Sequence, residues 1–162
     1  MYIKVELVTR DKDNPLDDAK AVRETIRTHY DVNTGEAIVT DRICIDSYTY
    51  DIQKQQLHVV YRLGGIRSDG SISIDPQFSA QRYSFSKKMT QDIWNQIGLG
   101  DPATIDIHNA IHMLLIAERP AIQTVARAAW GMPKLEGRLI DDAGKVVDDY
   151  KTQISALRIS RA

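Results

Sequence analysis

The chain has 162 residues, enough for one domain with a real core, and its 43% apolar and 27% charged residues are ordinary for a globular protein. The formal net charge of −1 argues against bulk electrostatic binding to DNA, RNA or anionic lipid. The single cysteine, Cys44, excludes an internal disulfide, and no apolar run is long enough to span a bilayer.

In chain order, residues 2–9 alternate, with Ile3, Val5 and Leu7 on one face, and predict a half-buried strand. The stretch MYIKVELVTR also lacks the apolar core of a signal peptide, so a cytoplasmic place of synthesis is expected. Residues 11–15 form a turn that leads into a helix. Asn14 can cap it, Pro15 suits its first position, and Asp17 and Asp18 suit its first turn. Leu16, Ala19, Val22, Ile26 and Tyr30 make one stripe, so this helix is expected to run to about Tyr30. The acidic group Asp11, Asp13, Asp17 and Asp18 lacks the glycine and terminal glutamate of a calcium loop, and reads as cap and dipole chemistry.

Strands are expected from residue 37 to residue 86. Residues 37–52 form one long run, or two with a bend. Ile43 and Ile45 share one face, with Cys44, Tyr48, Tyr50 and Ile52 on the other. Leu57, Val59, Tyr61 and Leu63 alternate along the next strand, and Asp69-Gly70 signals a turn. Residues 71–75 form a short strand that Pro76 breaks, and Tyr83 and Phe85 lie on the last strand of the group. Short strands with tight turns imply an antiparallel meander.

Helices follow. Thr90 can cap residues 91–97, and Gly98 ends them. Residues 104–117, TIDIHNAIHMLLIA, are the most apolar continuous stretch, and a helix apolar on nearly all sides is buried or packs against two partners. Ile122, Val125, Ala126 and Ala129 make a third helical stripe up to Trp130. Residues 135–140 and 145–149 read as a hairpin about Asp141-Asp142-Ala143-Gly144, and residues 153–160 as a last strand through Leu157 and Ile159, with a helix over residues 150–156 as the alternative. This order predicts a single α+β domain over residues 1–162. It would have an antiparallel meander sheet, a cluster of helices on one face, and a protruding C-terminal hairpin and strand arm over residues 132–162.

Chemistry is sparse. No phosphate loop, dinucleotide fingerprint, nucleophile elbow or cysteine pair occurs. His108 and His112 have the only metal-like spacing, four apart on one helical face. The hydrolytic zinc pattern needs Glu after the first His, and Asn109 stands there, so two hydrogen-bonded histidines are the simpler reading. Cys44 reads as a small buried hydrophobe. Tyr48, Tyr50, Tyr61, Tyr83 and Phe85 lie near Arg42, Arg62 and Arg82, a composition suited to stacking single-stranded nucleic acid. Asp41, Asp46 and Asp51 argue against that use, and cross-strand packing explains the same residues.

With no catalytic set and no cofactor motif, the expected function is a non-enzymatic structural or assembly subunit of a larger particle. A bacteriophage head–tail connector, tail or baseplate is the setting such a chain suits. Expected partners are further copies or other subunits, met through terminal strands at Tyr2, Ile3, Val5, Leu157 and Ile159. Two other classes stay open: a single-stranded nucleic-acid module on the aromatic sheet face, and a metal-dependent enzyme built on His108 and His112.

Overall fold

A computed structural model of the chain describes residues 1–79, 82–96, 107–117, 127 and 130–148. The opening strand β1 (Tyr2–Thr9) lies inside the sheet. One edge runs antiparallel to β9 (Leu135–Ile140), from Tyr2↔Ile140 to Leu7↔Leu135. The other edge meets β2 (Val22–Glu24) near its end, and meets β5 (Arg42–Asp51) only at Lys4↔Arg42. β5 pairs along its length with β6 (Gln56–Ile66), and β6 divides its far edge between β8 (Tyr83–Lys88) and β7 (Ile72–Ile74). Beyond β9 lies β10 (Val146–Asp148). Together these eight strands form a curled antiparallel half-barrel. A separate two-stranded hairpin joins β3 (Arg27–Tyr30) to β4 (Ala37–Thr40).

The fold is therefore mostly β, which overturns the expected α+β arrangement with helices clustered on one face. Among the described residues there are two α-helices, α1 (Gln91–Gln96) and α2 (Ile107–Ala117). The largest difference from the expected elements lies before residue 31. Residues 15–30 form no α-helix: a short 3-10 turn at Asp18–Lys20 is followed by β2 and β3. The helical stripe buries no continuous face, since Ala19, Val22 and Tyr30 are exposed. Tertiary partners outweigh weak local propensity here. Arg23 lies between Glu6 and Asp18, Arg10 bridges Asp18 and Glu136, and β2 takes the edge of β1 at Leu7–Thr9.

The C-terminal hairpin is present, but β9 lies between β1 and β10 in the sheet and is no protruding arm. The third helical stripe falls mostly outside the described residues, as do Leu157 and Ile159. Residues 37–52 divide into two strands at Asp41. A bulge between Ile45 and Ser47 then changes parity, so Tyr50 packs with Ile43 and Ile45 instead of with Cys44.

The core fills the concave side. Leu57, Val59, Tyr61 and Leu63 are fully buried along β6, as their alternation requires. Ile3 and Val5 of β1, Leu135 and Leu139 of β9, and Ala110, Ile111, Leu114 and Leu115 of α2 complete it. The consecutive residues Ala110, Ile111 and His112 are all buried, so α2 is covered around much of its circumference.

Candidate functional site

Three places gather polar or exposed groups. The first is a cleft of about 270 Å³ where β1 and β5 part on either side of their one pairing. Ile43, Ile45, Ile66 and Ile72 supply apolar wall, while Arg42, His108 and His112 supply polar groups. The guanidinium of Arg42 lies 4.0 Å from the centre of the Tyr2 ring and also pairs with Asp41 at 2.9 Å. The rings of His108 and His112 stand 4.3 Å apart. Nδ1 of His112 donates to the His108 carbonyl oxygen at 2.7 Å, one turn back on the helix. That bond keeps a proton on Nδ1 and fixes the orientation of the ring.

The predicted histidine pair thus lies in a cleft, with Cys44 in the same lining. Burial pushes the Cys44 thiol up to about 12, which disfavours the thiolate a metal would need. Among the described residues no three His, Cys, Asp or Glu side chains converge as a metal site. Tyr2 lines the cleft, and Ile3 and Val5 are core residues. One edge of β1 is paired with β9 throughout Tyr2–Leu7, while the other meets β5 at Lys4 alone and β2 from Leu7 onward.

The second place is the aromatic group. Tyr61 and Tyr83 have ring centres 5.2 Å apart, and these lie 6.4 and 6.0 Å from the Trp130 ring. Tyr61 is wholly buried, Tyr83 and Phe85 pack against the core, and Tyr50 donates to the Met89 carbonyl oxygen at 3.4 Å. The arginines are engaged elsewhere: Arg62 contacts Asp46 at 2.6 Å, and Arg82 lies 3.7 Å from the same carboxylate. These rings pack inward and the arginines lie against acids, whereas Tyr48 is exposed.

Nothing in the sequence signals the third place, whose first residues belong to the stretch expected to be helical. Beneath the β3–β4 hairpin runs a buried polar chain. Ser73 Oγ lies 2.7 Å from Asp31 Oδ1 and 2.9 Å from His29 Nε2. His29 Nδ1 lies 2.7 Å from Thr40 Oγ1, which lies 2.6 Å from Asp75 Oδ2. All five residues are buried. Arg67 pairs with Asp31 at 2.9 Å, and Arg27 Nε lies 3.1 Å from Asp75 Oδ2. Hydrogen bonds from Arg67 and Ser73 hold the Asp31 carboxyl well below the usual carboxylate range. Burial, the largest influence, holds the His29 imidazole below its ordinary value, with Arg27 and Arg67 adding to it and Asp75 and Asp31 opposing it.

Each strand places its polar atom by alternation. His29 faces in between exposed Thr28 and Tyr30, and Thr40 faces in beyond exposed Val39. The alternation of Ala37–Thr40 was legible, but nothing in it identified the partner of Thr40. Although Ser73 and His29 are spaced like a nucleophile and its base, both side chains are about 1% exposed, so no substrate atom could reach them.

The opposite face of the same hairpin is open. Tyr30 is 72% exposed, Val32 80% and Val39 44%. The turn that carries Val32 is tied down by Asp31, whose Oδ2 accepts from the Asn33 and Thr34 amides and from the Thr34 hydroxyl. No helix among the described residues is long and apolar enough to cross a membrane. Neither a family model, nor a curated protein, nor a solved structure matches this chain.

Proposed function

We propose that this chain is a non-catalytic assembly subunit that associates with a second copy of itself through the outer face of the β3–β4 hairpin. The observation that carries this reading is the contrast between the hairpin's two faces. The inner face is fixed by buried hydrogen bonds and two arginine–aspartate pairs. The outer face offers Tyr30, Val32 and Val39 to solvent on a turn that Asp31 holds in shape. An apolar group held rigidly in the open loses little entropy on docking, and such patches mark interaction surfaces. Thr28 and Ala37 complete that face without a charge, and a net charge of −1 sets up little repulsion between copies. A structural place in a bacteriophage connector, tail or baseplate is the setting proposed for this assembly, on the general character of the chain alone.

The test is solution mass across a concentration range for the wild type and for Val32→Asp. A discrete oligomer that Val32→Asp converts to monomer is expected. A wild type that stays monomeric at high concentration, or an oligomer that Val32→Asp leaves intact, overturns the reading.

A further inference from the structure

The buried chain beneath the hairpin has four contacts in a row: Asp31 to Ser73, Ser73 to His29, His29 to Thr40, and Thr40 to Asp75. All lie between 2.6 and 2.9 Å. At such lengths each contact needs a proton between its two heavy atoms; two lone pairs that close repel. The supply is limited. Ser73 and Thr40 have one hydroxyl proton each, an ionised carboxylate has none, and a neutral imidazole has one. Three protons cannot serve four contacts. A fourth proton therefore belongs to the chain, and it can reside on an aspartate or on His29.

The aspartates are poor places for it. Asp31 accepts from Arg67, Ser73, Thr34 and two backbone amides. Asp75 has Arg27 beside Oδ2 and accepts from the Gln77 amide at Oδ1. Each carboxylate has its own guanidinium, and each would lose acceptor capacity on protonation. We propose that His29 is a buried imidazolium, donating from Nε2 to Ser73 and from Nδ1 to Thr40 while the two hydroxyls pass their protons outward to Asp31 and Asp75. The ring thereby clamps the hairpin (His29 and Thr40) to the region around β7 (Ser73 and Asp75).

Charged groups face the ring from every side. From β3 comes Arg27, from the hairpin turn Asp31, from the loop after β6 Arg67, and from the end of β7 Asp75. Glu36 and Asp69 act on Arg67 from the rim. The four inner groups sum to zero, so the site gains one positive charge, which burial opposes. What outweighs burial is the alternative: a neutral ring leaves one short contact with no proton, and a buried polar contact left unmade costs about as much as the desolvation of the group concerned.

The experiment is side-chain nitrogen NMR of the uniformly labelled wild type, from about pH 5 to about pH 9, bracketing the ordinary imidazole value. The His29 ring is assigned through its contacts to Thr40, so no variant has to fold. Both ring nitrogens are expected at the protonated position at neutral pH, and the ring is expected to lose one of its two protons only on the alkaline side. One protonated and one unprotonated nitrogen at neutral pH overturns the proposal. A second readout has opposite signs for the two states. A folded-state value raised above the unfolded one stabilises below the unfolded value, and that stability is lost as pH rises through the folded value. Relative to His29→Gln, the wild type is therefore expected to lose its advantage in denaturant midpoint as pH rises. An advantage lost as pH falls is what a neutral buried ring would give, and it overturns the proposal.

Discussion

A Cβ placed on Gly65 would lie 2.2 Å from the Val39 carbonyl oxygen and 2.6 Å from Ile38 Cγ2. Strand β6 and the hairpin strand β4 thus meet with backbone against backbone, and only glycine allows that approach. This contact seats the hairpin as closely as its polar chain does. Gly65→Ala is therefore expected to destabilise the protein by about 1–3 kcal/mol, the range for overpacking where backbone must move. Denaturant unfolding measures it. An unchanged midpoint would mean that the hairpin does not sit on β6 as described.

Cys44 is about 1% exposed, and burial holds its thiol near 12. Native protein is expected to resist a thiol-reactive dye at neutral pH and to react fully once unfolded. Rapid labelling of the native state would place Cys44 at the surface.

For Asp31 the sign of the pH effect follows from the direction of its shift. The carboxyl is held below the usual range in the folded protein by Arg67 and Ser73. It therefore contributes stability above its unfolded value of about 4, and that contribution is lost as pH falls toward the folded value. Asp31→Asn is expected to lower the midpoint at neutral pH and to flatten its fall in acid. Parallel acid limbs for the two proteins would count against the Arg67–Asp31 pair.

The Tyr61 hydroxyl is buried and has no hydrogen-bond partner among the described residues. Removing a buried polar group that has no partner is close to neutral or stabilising. Tyr61→Phe is expected to change stability by less than about 1 kcal/mol in either direction, while Tyr61→Ala costs about 3–5 kcal/mol through the cavity it leaves. Thermal unfolding of the two variants separates ring packing from hydroxyl bonding, and equal losses would show that the hydroxyl matters.

Sequence determined those elements whose signal is local. The alternation of Leu57, Val59, Tyr61 and Leu63 fixed both the strand β6 and its buried face, because side chains on a strand alternate whatever lies alongside. Asp141–Gly144 fixed the last hairpin, with Gly144 at positive φ, and the uncharged run at residues 110–117 fixed a helix that had to be buried. Only the tertiary structure decided the rest. Residues 15–30 have a helical stripe and a helical cap, yet their side chains gain more from Glu6, Arg10, Thr40 and Ser73 than a lone helix would return. The site beneath the hairpin follows the same logic. His29, Asp31, Thr40, Arg67, Ser73 and Asp75 are scattered over three strands, the hairpin turn, the loop after β6 and the residue after β7, and no spacing along the chain links the three regions. Long-range strand register alone brings them together, and register depends on which strands pair, which a periodicity read along one strand does not contain.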